Sequence, residues 1–499
     1  MDYSWKNIQL NAYKARSVIW VSVLFHVLAV FFSAGYYHPD EHFQLLEFAG
    51  WKSGWFSSES LAWEFEAMIR PSFMPAMTAV LINFLEVFGI ESPFFIALVL
   101  RSISAALALS VTLLFYRWAK PQLQEKWQVR YLFFALLLWF IPYLNVRFSS
   151  ENWSGQLFFL GLLCFLLKKE PPVLALFISG VFMGLSYACR FQSALFAAGF
   201  FFWLLFIYRA GFKKMFSWLL GITIAVLLSA VCDRWFYGEW TFTAYNYFHV
   251  NLLEGKASEF GTRPFWFYFA FVALHGMPFF GLLIAGCFFY FWAKNSRSVF
   301  TWVTLGFFIV HSIIAHKEMR FLFPLLPAVP FIVISAWKKL TGNPGWQRFF
   351  LSKGWEIYTW AFIIFSICTA LLNSLKPADI HVPLYNYIYH KAGDTGAVFV
   401  VGGSDPFKPM DYPEINFYRG KGQAYRMFDS EQPMRQYADS TRTLPDLIVS
   451  DTLLQGSFDS LYRQTTCREY HPVPEWHKAF SWFKFSEKYT QWKVYVLRK

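Results

Sequence analysis

Apolar runs of about the 20 residues that a membrane-crossing helix needs recur along most of the chain. They begin near Val18, Ala97, Tyr131, Gly155, Val173, Ala194, Met215, Phe265, Val299, Phe321 and Tyr358. The pattern predicts an all-α polytopic membrane body over residues 1–376, with about 11 spanning helices. A further run, Met74–Gly89, is read as lying along or dipping into the outer surface, within a first outer loop over 35–96 that carries surface helices. The first run has no small-residue cleavage site before His38 and more spans follow, so it reads as a retained helix rather than a signal peptide. After Lys376 the pattern changes. Short β-branched runs (Val398–Val401, Leu447–Ser450, Val494–Leu497) alternate with Gly-, Pro- and Asp-rich turns. They predict a small α/β extracytoplasmic domain over 377–499, read as a cap on the body. The GGSDP stretch at Gly402–Pro406 lacks a nucleotide-binding spacing, and no repeat of fixed period is visible.

Composition supports this division. Of 499 residues, 56% are hydrophobic, 22% are aromatic and only 15% are charged, with 61 Phe. Soluble domains carry roughly 25% charged residues, so a soluble enzyme is disfavoured. So much apolar surface also excludes intrinsic disorder. A net charge of +12 would suit a nucleic-acid partner, but its distribution argues otherwise. The tail from Pro377 has 15 Lys+Arg against 14 Asp+Glu, which leaves 29 against 18 among the apolar runs. Placing Lys6, Lys14 and Arg16 in the cytoplasm puts every basic loop inside: Arg117–Arg130, Lys168–Lys169, Arg209–Lys214, Lys294–Arg297 and Lys338–Arg348. Gly35–Ser72, Arg147–Ser154, Cys232–Pro264, His316–Arg320 and the tail then fall outside. Twelve spans would put Arg117–Arg130 outside, against the rule. Five of the six cysteines lie in or beside apolar runs and only Cys467 is in the tail, with neither a disulfide framework nor metal spacing.

The outer loops hold most of the dense polar sequence. The first reads Tyr36-Tyr37-His38-Pro39-Asp40-Glu41-His42-Phe43-Gln44. Pro39 suits a first helical turn, so Asp40 and Glu41 should open a short helix at Asp40–Ala49. The helix dipole favours an ionised carboxylate there, suited to act as a base on a sugar hydroxyl. Capping a surface helix is the plainer role for Asp40. A second cluster is His316-Lys317-Glu318-Met319-Arg320, at a lipid boundary. So many cations there are expensive unless they pair or bind, and a phosphate would be a natural partner; anchoring by snorkelling is the alternative. A third segment interleaves aromatic and polar residues at Asp233–Glu239, Tyr245–His249 and Gly261–Tyr268, which suits sugar faces or an interfacial belt. Smaller outer groups are Arg147–Glu151–Asn152, Arg190–Gln192, Trp63–Glu64 and Arg70–Pro71.

HPDEHFQ, the DRWFYGEW…YNYFHVN…FGTRPFWFY stretch and HKEMRFLFPLLP, in that order over about Tyr36–Pro327, resemble glycosyltransferase family 22. That family comprises the mannosyltransferases of GPI-anchor and N-glycan precursor assembly; the stretch is most similar to the GPI mannosyltransferase III type. The resemblance implies a GT-C fold, an active site on the periplasmic or lumenal face, and inverting transfer of mannose from a polyprenyl (dolichyl-type) phosphate. It implies that Asp40, with Glu41 beside it, supplies the catalytic base, and that His316, Lys317 and Arg320 handle the lipid phosphate. Substrate contacts are expected from His38, His42, Gln44, Glu151, Arg190, Tyr245, Asn246, His249 and Arg263. Two departures, Arg190-Phe191-Gln192 for an Arg-Pro-Thr-like run and Arg263 where relatives usually show His, suggest a prokaryotic or divergent member. The expected site is then a bacterial inner membrane, or the endoplasmic reticulum in a eukaryote. The acceptor is expected to be a lipid-linked glycan or glycolipid, and no nucleic acid is expected. The carboxylates are too few for a metal cage, so neither metal nor cofactor is expected. A transporter or flippase of a lipid-linked or polyol substrate is the rival class, but its polar residues would gather at mid-membrane, often in repeated halves. An enzyme with the same body that glycosylates protein or transfers a whole oligosaccharide is a third.

Overall fold

The computed structural model describes residues 2–275, 280–393, 395–408, 412–442, 445–451, 454, 466–470 and 492–496. Its contacts divide it into two compact units. The first comprises Met1–Ser33, Ala67–Ala76 and Leu100–Lys376; the second comprises Ala34–Glu66, Met77–Val99 and Pro377–Lys499.

Among the described residues, 6 helices are long and apolar enough to cross a membrane by length and composition: Lys14–Phe32, Pro93–Gln122, Phe191–Tyr208, Phe212–Tyr237, Met319–Thr341 and Lys353–Leu375. Shorter apolar helices cover Phe73–Glu86, Val173–Cys189, Phe280–Lys294 and Val299–Ile313. The expected 11 runs therefore do not all become full-length helices. The run from Tyr131 breaks after Leu136 and resumes as Ile141–Asn145, with Pro142 in its first turn. The Met74–Gly89 run forms a helix of 14 residues, Phe73–Glu86, shorter than a span requires. Long helices suit these sequences because a lipid interior leaves backbone amides and carbonyls no partner outside the segment. Several keep an uncovered apolar stripe, as at Trp20, Leu24 and Phe31, or at Ile224, Leu227 and Val231.

Small residues set how closely the first unit packs. Gly180 and Gly184 form a G-x-x-x-G pair on Val173–Cys189, facing the helix Phe212–Tyr237. A Cβ on Gly180 would lie 2.1 Å from the Trp218 carbonyl oxygen, so only glycine permits this approach. Gly155 acts similarly: its Cβ would meet Pro324 at 2.7 Å. Pro324 lies in the 3-10 segment Met319–Ala328, and Gly155 lets that segment lie against the helix Ser150–Leu166. Segments expected on the inner face bond to one another: Lys339 Nζ to Asn295 Oδ1 (3.0 Å) and Trp203 Nε1 to the Arg297 carbonyl (2.9 Å).

In the second unit the tail strands are β1 (Ala397–Val401), β2 (Ala424–Phe428), β3 (Leu447–Ser450), β4 (Thr466–Tyr470) and β5 (Trp492–Val496). They form one sheet ordered β2-β1-β3-β5-β4. β1 runs parallel to β2 and β3, with Val398 opposite Leu447, and β5 runs antiparallel to β3 and β4. Helix Glu431–Thr441 packs Met434 with Phe399, Val401 and Ile448. The runs at Val398–Val401 and Leu447–Ser450 thus form strands; Leu497, the last residue of the third run, lies outside the described residues. The tail shares its unit with most of the first outer loop, residues 34–66 and 77–99.

Candidate active site

Within the first unit, elements far apart in sequence bring charged residues together. Glu151 lies in the first turn of the helix Ser150–Leu166, Arg190 caps the end of Val173–Cys189, and Arg320 opens the segment Met319–Ala328. One Glu151 oxygen, Oε1, accepts from Arg190 Nη1 (2.9 Å) and Arg320 Nη1 (3.3 Å). Arg320 also grips Glu318, through Nε to Oε2 (2.5 Å) and Nη2 to Oε1 (3.3 Å). His316 Nε2 meets the same Oε1 at 2.9 Å, while Nδ1 bonds the Gly261 carbonyl at 2.8 Å. Both guanidiniums lie over the Phe321 ring. Lys317 is placed differently from His316 and Arg320. Its ammonium donates to three backbone carbonyls, of Arg263 (2.9 Å), Ile314 and Ala315 (3.5 Å). Burial lowers its pKa. These bonds fasten the loop and satisfy the carbonyl end of the helix Val299–Ile313.

The aromatic segment separates into tied and exposed parts. Asp233, which opens DRWFYGEW, is buried and accepts from the Ser72 amide (2.9 Å), Ser72 Oγ (2.6 Å) and Thr243 Oγ1 (2.8 Å). Asn246 Nδ2 donates to the Met68 carbonyl (3.3 Å), and Arg70 stacks over Tyr247. Tyr245 is exposed, and His249 pairs with Glu254 at 3.0 Å with both side chains about half exposed. Arg263 lies over Phe267, and its amide donates to the Ala315 carbonyl.

In the second unit HPDEHFQ builds a helix from Pro39 to Lys52, longer than the expected Asp40–Ala49. Pro39 takes the first position as the sequence predicts, and the His38 side chain caps by accepting from the Asp40 amide (3.3 Å). Asp40 is about one-quarter exposed, whereas Glu41 is buried, with Oε2 accepting from the Tyr37 amide (3.1 Å). His42–Glu47 is wound as a π-helix, a form often found at functional sites. The wider winding faces His42 Nε2 to Glu47 Oε1, five residues on, at 2.7 Å. Glu47 Oε1 also accepts the amides of Asn416 (2.8 Å) and Phe417 (3.0 Å). His42 is thus fully buried and stacked on Tyr418, and Gln44 donates to Glu64 at 3.4 Å. Nearby, burial would raise the pKa of Asp379, but hydrogen bonds and charge from His381 and the charge of His42 hold it below the usual carboxylate range.

Sequence reasoning missed Glu318, Asp233, Glu47 and Asp379 as organising residues. Glu318 stood in the cluster, where only the cations were counted. Glu47 lies five residues from His42, a spacing that marks no neighbour on an ordinary helix.

Comparisons with known proteins agree on the family. The chain is 27% identical to GPI alpha-1,2-mannosyltransferase 3 of Bos taurus over 376 residues, 72% of this chain and 64% of the relative. It is 26% identical to the Homo sapiens protein of the same name over 398 residues, 76% of this chain and 67% of the relative. Mannosyltransferase APTG1 of Arabidopsis thaliana is 24% identical over 62% of this chain and 57% of its own length. The chain thus spans about two thirds or less of these relatives. Among solved structures, ArnT from Cupriavidus metallidurans bound to undecaprenyl phosphate aligns with a TM-score of 0.49 and 15% identity, over 100% of this chain and 99% of that one. The model of the Alg9-like mannosyltransferase family matches residues 17–397, well over half of the sequence, and the chain belongs to that family.

Proposed function

We propose that the chain is an integral-membrane inverting glycosyltransferase with a GT-C-type body. It transfers mannose from a polyprenyl (dolichyl-type) phosphate to a lipid-linked glycan or glycolipid on the outer, periplasmic or lumenal, face. The family match over residues 17–397 carries this proposal, because it takes in Asp40, the Glu151–Arg190 pair and the His316–Arg320 loop. In the reaction, the acceptor hydroxyl oxygen bonds to C1 of mannose as the bond from C1 to the phosphate oxygen breaks. Asp40, with Glu41 beside it, takes the hydroxyl proton. The phosphate departs with its charge already present and needs little acid assistance. His316 and Arg320 stabilise that charge, and such fixed electrostatic stabilisation is usually the largest catalytic contribution. Lys317 supports the same loop through its carbonyl bonds and adds positive charge behind it. His38, Gln44, Tyr245, Asn246, His249 and Arg263 are proposed substrate contacts. His42, Glu151 and Arg190 act from buried positions by holding neighbouring groups.

The test is Asp40→Asn, produced and folded in membranes and supplied with polyprenyl-phosphate mannose. Transfer is expected to fall by about 10²–10⁴, the usual contribution of general-base catalysis. Transfer at the parental rate would remove Asp40 from the mechanism.

A further inference from the structure

We propose that Glu318 is a resident stand-in for the phosphate of the lipid substrate. It occupies the donors of His316 and Arg320 when no lipid is bound and gives them up when the lipid arrives. The inference rests on the proposed phosphate role of this loop and adds to it how the site is kept while empty.

Arg320 presents Nε and Nη2 to the two Glu318 oxygens, at 2.5 and 3.3 Å, and His316 Nε2 adds a third donor at 2.9 Å. A guanidinium edge with an added imidazole suits two oxygens of a phosphate as well as those of a carboxylate. A buried cation cluster without an anion would be costly, so the site needs an internal one while it waits.

The two carboxylates of the cluster differ in a way that assigns their roles. The Glu151 side chain is 3% exposed and bridges arginines from separate elements. Withdrawing it would leave buried charge uncompensated. The Glu318 side chain is 27% exposed, and its partners are two residues away on either side. It can turn into water without unpicking anything else. The donors stay in place when it leaves. Arg320 keeps its bond to Glu151 and its place over Phe321, and His316 keeps its bond to the Gly261 carbonyl.

Binding of inorganic phosphate and of a polyprenyl monophosphate to the full chain in lipid nanodiscs tests this. Glu318→Gln removes the competing charge and is expected to bind the polyprenyl monophosphate roughly tenfold tighter, the order of one charge-assisted hydrogen bond. Unchanged or weaker binding overturns the proposal, because Glu318 would then be scaffold. If Glu318→Gln does not yield folded protein, Glu318→Asp shortens the reach by one methylene and is expected to shift binding the same way, by less; no shift overturns it equally. Tightening with inorganic phosphate but not with the lipid overturns the assignment to a lipid. Arg320→Gln is the separate control on the underlying reading: it should weaken binding at least tenfold. Unchanged binding there means that the loop holds no phosphate, whatever Glu318 does.

Discussion

Glu151 shares one oxygen between two guanidiniums while nearly out of contact with water, which makes it the most consequential single carboxylate in the first unit. Removing one member of a buried ionic group leaves charge uncompensated, at a cost of about 3–5 kcal/mol. Glu151→Ala should therefore lower stability by that order, read as thermal unfolding of the purified protein; an unchanged melting temperature would show that the arginines find other partners. Asp379 sets a pH dependence. Its folded pKa lies below the unfolded value, so its stabilisation is complete above about pH 4 and is lost as the pH falls through the folded value. The stability difference between the parent and Asp379→Asn should accordingly be largest near neutrality and shrink below pH 4; a difference that grows in acid would reverse the sign. At this scale the sequence showed which positions carry charge but not which pairs form. Arg190 and Glu151 are distant in sequence, and the closeness of Glu318 to Arg320 was legible only once the carboxylate was weighed with the cations.

Between elements, glycine decides what can approach what. Gly155 admits the Pro324 backbone, and this brings Met319–Ala328, with Arg320 at its start, against the helix that carries Glu151. Gly155→Ala would place a methyl 2.7 Å from that backbone, so the segment must move. Overpacking of this kind costs about 1–3 kcal/mol. The variant should melt lower and transfer sugar more slowly; full retention of both would show that the approach is not needed. Apolar runs and turn residues gave good guidance to where helices and tail strands lie, because each depends on local pattern. They could not give the break after Leu136 or the π-winding of His42–Glu47. Those depend on long-range partners such as the amides of Asn416 and Phe417.

For the whole molecule, the charge distribution carries the functional argument. The excess of Lys and Arg lies among the apolar runs, while the tail is nearly balanced. If the basic loops are inner, a membrane-impermeant thiol reagent should label Gly403→Cys from the outer face and Lys169→Cys only after the inner face is opened, each above the parental background. Labelling of both from one side would refute that topology. The central claim is sugar transfer, and it is met most directly by incubating membranes containing the protein with labelled polyprenyl-phosphate mannose and weighing the labelled lipids. The expected result is a glycolipid heavier by one hexose, formed by the parent and nearly absent with Asp40→Asn. Movement of a lipid-linked substrate across proteoliposomes with no labelled product would contradict it and favour a transporter.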